Sequence, residues 1–166
     1  MVACDIPSWL NHRGDFVLFL ASALLVLAII DFRTLEIPFG INVFIFLLGV
    51  VRLCTDLKNW LTYVIGFILV SGIFVLAGWL GELILKKEGM GGGDVKLMAA
   101  AGLLLGGPKI FFAMLVGCVF AVIIHAIRMK VSGEDHQLAF GPYLAMGIFV
   151  SAVAGEPIIN WYLSMF

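Results

Sequence analysis

The segment from Trp60 to Leu85, WLTYVIGFILVSGIFVLAGWLGELIL, carries a single charged residue, Glu82, in 26 positions. A helix needs about 20 mostly apolar residues to cross the hydrocarbon core of a bilayer. The run is long enough to span and too apolar to be left in water. Five further runs resemble it: Phe16 to Ile30, Ile37 to Leu53, Val95 to Leu105, Ile110 to Ile127, and Leu138 to about Ala154. The fourth is the shortest and stops at Gly106-Gly107-Pro108. Composition agrees: 63% of residues are hydrophobic and 13% charged, against about 45–50% and about 25% in soluble domains. The pattern predicts an all-α integral membrane protein with about six transmembrane helices, forming one membrane domain over residues 1–166. The tail, EPIINWYLSMF, reads as too short to span, with Trp161 and Tyr162 suited to a membrane interface.

Several function classes drop out at once. A net charge of −1 suggests no nucleic-acid partner. Cys4, Cys54 and Cys118 are far apart and form no CxxC pair, which argues against a zinc site or a disulfide framework. The segment Gly133-Glu134-Asp135-His136 is polar, but adjacent residues do not make a coordination geometry. Neither a metal nor a cofactor is expected. The start, MVACDIPSWLNHRGD, has no basic n-region of the usual kind, so no cleavable signal is expected.

Short loops let lysine and arginine set orientation. The first-to-second, third-to-fourth and fifth-to-sixth connections carry Arg33, Lys86, Lys87, Lys96, Arg128 and Lys130; the other side carries Arg13, Arg52, Lys58 and Lys109. This bias places both termini outside. It puts two acids at one cytoplasmic membrane edge: Asp31, which ends the first run, and Asp94, which follows Gly91-Gly92-Gly93 and opens the fourth.

Acids at membrane depth are costly and usually face a bundle interior or a wet cavity. Two carboxylates that share a site cannot both ionise easily, so the pair can hold one proton. The ionised member can take a proton from water while the protonated member polarises a peptide carbonyl. The glycines, lacking Cβ atoms, permit unusual backbone angles and close approach of another chain. Plainer readings stand beside this one. Asp31 could be an interfacial residue paired with Arg33, Asp94 a helix cap, and the glycine run a loop or a packing site.

Three separated segments resemble one family. Gly91-Gly92-Gly93-Asp94 fits the GxGD signature of polytopic aspartyl proteases, and its context, EGMGGGDVKLMAAAGLLLG, is similar to the bacterial prepilin peptidases. Asp31, followed by Ile37-Pro38, looks like that family's D-x5-IP element. AFGPYLAMG, Ala139 to Gly147, resembles its late FGP(F/Y)LA element. The resemblance implies a catalytic pair, Asp31 and Asp94, and an aspartic endopeptidase. It would remove the short, positively charged leader of type IV prepilin-like or pseudopilin precursors at the cytoplasmic face of the inner membrane. Gly91, Gly92, Gly93, Lys96, Arg33, Glu36, Phe140, Gly141 and Pro142 would bind substrate or support the pair. Presenilin-type relatives fit less well, because Ile30 rather than Tyr precedes Asp31 and the late element is not PAL. The sequence departs from the family at Phe39, where Asn or Asp is common. It also lacks the paired CxxC motifs associated with N-methylation, which suggests a peptidase-only form. The rival readings are a small proton- or cation-coupled transporter, a non-catalytic assembly subunit, and a GxGD protease with other substrates.

Overall fold

The computed structural model describes residues 8–85, 91–132 and 139–165. Six α-helices and one short 3-10 turn follow in order: α1 (Ser8–Thr34), α2 (Phe39–Thr55), the turn (Leu57–Asn59), α3 (Trp60–Leu85), α4 (Gly92–Leu105), α5 (Gly107–Ser132) and α6 (Gly141–Leu163). There is no strand among the described residues. Lys86, Lys87 and the Gly133–His136 segment lie outside them.

Among the described residues, four segments are long and apolar enough to cross a membrane: Phe16–Thr34, Leu57–Leu83, Gly107–Ile127 and Gly141–Tyr162. The protein is a multi-pass membrane protein. The other two helices are shorter, as the sequence already marks for the fourth run. α2 has 17 residues, and α4 has only 14, a rise of about 21 Å against the ~30 Å of the hydrocarbon core. α4 is instead the buried centre of the bundle. Asp94 and every residue from Leu97 to Leu104 along it are buried, and it packs chiefly on α3 and α2.

Lipid is as apolar as a leucine side chain, so helices in a membrane associate through close packing of small residues. The α3–α4 seam shows this directly. A Cβ on Gly102 would lie 2.6 Å from the Gly66 carbonyl oxygen, and one on Gly66 would lie 2.7 Å from the Gly102 carbonyl oxygen. The α5–α6 seam repeats it, with Gly147 pressed against the backbone of Ala113 and Gly117. Gly102→Ala is therefore expected to destabilise the bundle by about 3 kcal/mol, the upper part of the overpacking range, because backbone cannot yield as a side-chain tip can. Thermal melting in detergent would measure it.

Two helix ends differ from the sequence reading. α6 continues through Pro157 to Leu163, so the tail is part of the last helix rather than a separate segment. A proline removes one helical hydrogen bond, and membrane helices tolerate this because neighbouring groups re-satisfy the freed carbonyl. The fourth helix begins at Gly92, not Val95, so most of the glycine run is helix and not loop.

Candidate active site

The α1–α2 connection is built by its own residues. α1 stops where Leu35 takes a left-handed φ of +56°, with its N–H donating to the Asp31 carbonyl oxygen at 2.9 Å. Ile37 precedes Pro38, and a residue before proline is pushed toward extended backbone. The chain therefore turns between Leu35 and Pro38 before α2 starts. This carries Ile37 onto Gly93, where a Cβ would sit 2.9 Å from the Ile37 Cβ.

The end of α1, the start of α4 and the segment before α6 meet around one cavity of about 340 Å³. Asp31, Glu36, Ile37, Gly91, Gly92, Gly93, Asp94 and Phe140 are among its lining residues. Asp31 and Asp94 are 4% and 8% exposed, so each carboxyl has been taken largely out of water. The late segment reaches Asp31 directly: the Gly141 N–H donates to Asp31 Oδ2 at 3.0 Å. A Cβ on Gly141 would lie 2.6 Å from that same oxygen, so the contact needs glycine. The bond comes from across the bundle rather than from Arg33, which is exposed.

Asp94 lies in the first turn of α4 as its third residue. The position that caps α4 is Gly91, and α4 has no side-chain cap hydrogen bond. The capping reading of Asp94 therefore has no bond to rest on. Burial, and then the neighbouring Asp31 carboxylate, push Asp94 up to about 7. Asp56 is the contrasting case. It accepts hydrogen bonds from Asn59 and Tyr63, and these, Asn59 first, hold it below the usual carboxylate range.

The glycines serve space more than unusual angles. Among the described glycines only Gly106 has a left-handed φ. Gly93 lets Ile37 approach, whereas a Cβ on Gly92 would meet nothing within 4 Å. Gly93→Ala should therefore displace the start of α4 and destabilise the bundle by about 1–3 kcal/mol, the overpacking range. Gly92→Ala should leave stability within about 0.5 kcal/mol, as for a change that meets no neighbour. Thermal melting of the pair in detergent would separate the two.

The other sequence candidates divide. Glu36 and Phe140 line the cavity. Lys96 does not; it is exposed, with its Nζ 5.8 Å from the centre of the Phe39 ring. That cation–π contact gives a use to the Phe39 that departs from the family pattern. Pro142 faces away from the cavity, into a groove on the bundle surface. Among the described residues no group of three or more His, Cys, Asp or Glu could hold a metal ion.

Sequence reasoning missed two residues. Leu35 lines the cavity in a conformation that favours glycine or asparagine, so its identity gave no signal. Asn42 is buried on α2, and its Nδ2 donates to the Gly93 carbonyl oxygen at 3.5 Å. Its Oδ1 has no hydrogen-bond partner among the described residues. A buried Asn inside an apolar run, 11 residues after Asp31, was the available clue.

Comparison with known proteins gives a consistent answer. Residues 18–126 match the type IV leader peptidase family. The prepilin leader peptidase/N-methyltransferase of Aeromonas salmonicida strain A449 is 37% identical over 90 residues, which cover 52% of this chain and 30% of that protein. The protein of the same description from Pseudomonas aeruginosa PAO1 is 36% identical over 104 residues, covering 60% and 34%. That from Bacillus subtilis strain 168 is 29% identical over 152 residues, covering 87% and 57%. The matches thus span between 30% and 57% of the length of these relatives. No solved structure matches the chain. The family match covers both Asp31 and Asp94 and stops short of Gly141, which the fold then brings to Asp31. Matched over most of its length, the chain belongs to the type IV leader peptidase family.

Proposed function

We propose that this protein is a membrane aspartic endopeptidase that removes the leader of type IV prepilin-like precursors, with Asp31 and Asp94 as its catalytic pair. The observation that carries the reading is the meeting of two buried carboxyls in one cavity at one end of the helical bundle. A peptide carbonyl placed between them receives a hydrogen bond from protonated Asp94, while Asp31 takes a proton from the attacking water. Water adds to the carbonyl carbon to give a tetrahedral diol. Its collapse breaks the C–N bond and delivers a proton to the leaving amine. The Gly141 N–H keeps Asp31 Oδ2 in place throughout.

The cavity opens at the membrane edge that the lysine and arginine bias assigns to the cytoplasm, with both termini outside. In a bacterial cell this is the inner membrane. A cationic leader fits such a cavity, because Glu36, Asp31 and Asp94 line it and none of its described lining residues is basic.

The test uses purified protein in liposomes with a prepilin-like precursor, mapping products by mass spectrometry and following proton flux in parallel. A single cut at the leader boundary is expected. Flux without a peptide product would support the transport reading instead. Cuts only in unrelated membrane peptides would keep the protease and discard the substrate.

A further inference from the structure

A second concavity lies on the surface of the bundle. It is a groove of about 270 Å³ between α1 and α6. Ala21, Leu25 and Ala28 form one wall, and Ala145, Met146 and Phe149 the other. These positions recur at helical spacing, so each set lies on one face of its helix. Leu25 is 62% exposed and Met146 47%, so in a bilayer this surface meets either lipid or another apolar helix. The alanines leave room for close backbone approach, the usual basis of helix association in membranes.

What identifies an occupant is where the groove ends. On α1, Asp31 follows Ala28 by three residues, one turn on. On α6, Ala145 lies one turn beyond Gly141, the residue bonded to Asp31. Pro142 lines the groove, while Phe140, two residues earlier, lines the cavity. Both walls thus run into the two residues that hold the site. An apolar helix in this groove delivers the residues just before it to Asp31 and Asp94, past an acidic rim that includes Glu36. The occupant that matches both parts is one chain with a cationic segment directly preceding an apolar helix.

We infer that the α1–α6 groove docks the apolar helix of the precursor and so sets the distance from helix start to cleavage site. This rests on the proteolytic reading above. The test compares two substrates in liposomes: the whole precursor, and a short peptide that covers the leader and boundary but lacks the helix. Ala28→Phe fills the groove one turn from Asp31. Val122→Trp on α5, where the native side chain is 68% exposed and outside the groove, is the control. Ala28→Phe is expected to raise KM for the precursor at least tenfold, with kcat/KM for the short peptide within twofold of wild type and Val122→Trp unchanged on both. An equal loss on both substrates, or no change in precursor KM, would overturn the inference. In an otherwise wild-type chain, a photoreactive side chain at position 25 is expected to crosslink to the precursor's helix. Crosslinks only to lipid or to a second copy of this chain would overturn it. Wild-type protein that cleaves neither substrate would overturn the proteolytic reading and the docking role with it.

Discussion

Asp31→Asn and Asp94→Asn should each lower the rate of leader cleavage by at least about 10³-fold, toward the upper end of what general acid–base groups contribute. An amide has nearly the size of a carboxyl but can neither accept the proton from water nor cycle one to the carbonyl. The double variant should lose little more than either single one, because groups that act as a unit are not additive. Each variant should still fold. The folded value of Asp94, about 7, lies above the ordinary 3.8, so the folded state binds more protons between those two values. Stability then falls as pH rises through that window. Asn removes the charge, so Asp94→Asn should melt at or above the wild-type temperature at pH 8, and the gap should narrow toward pH 5. Cleavage kinetics and melting on the same preparations would separate lost chemistry from lost folding.

Gly141→Ala should cost about 100-fold in kcat, the scale associated with a misplacement of about 1 Å at a reacting group. The new Cβ would lie 2.6 Å from Asp31 Oδ2 and 2.9 Å from its Cγ. Either the carboxyl swings away or α6 moves back and takes its N–H with it. Both lose the bond that holds Asp31. Where the carboxyl swings and α6 stays, the walls of the α1–α6 groove stay in place, so KM should change much less than kcat. A variant with raised KM and normal kcat would mean that Gly141 serves substrate binding and leaves Asp31 alone. Rapid-quench cleavage assays would give the two constants.

Much of this arrangement can be read along the chain, and the unread parts have specific causes. Trp60 to Leu85 is a helix over the residues its apolar run marks, because nothing but a helix satisfies so long a backbone in lipid. Asp31 and Asp94 fall at one end of the bundle because they sit at opposite ends of helices that run in opposite senses. The glycine run was harder. Glycine usually punctuates structure, yet Gly92 and Gly93 form the first turn of α4, with Gly93 receiving Ile37 from another helix. That need lies in the neighbour and leaves no trace in local propensity. The Gly141–Asp31 bond joins residues 110 apart, so a motif can mark both partners without saying that they touch. α4 read as a short span because its apolarity resembles that of lipid-facing helices. Its burial inside the bundle depends on Gly66 and Gly102 facing each other, which no periodicity within α4 records.

The proposed mechanism requires Asp31 and Asp94 to hold one proton between them when the enzyme is active. Its most direct measurement is the pH dependence of kcat/KM for precursor cleavage by the wild-type protein, which reports the titration of the free enzyme. An alkaline limb that falls through about pH 7 is expected, as Asp94 gives up its proton, with the titration belonging to the pair as a whole. A rate that stays level from pH 5 to pH 9 would contradict it, because no proton held near neutrality would then be needed for the cut.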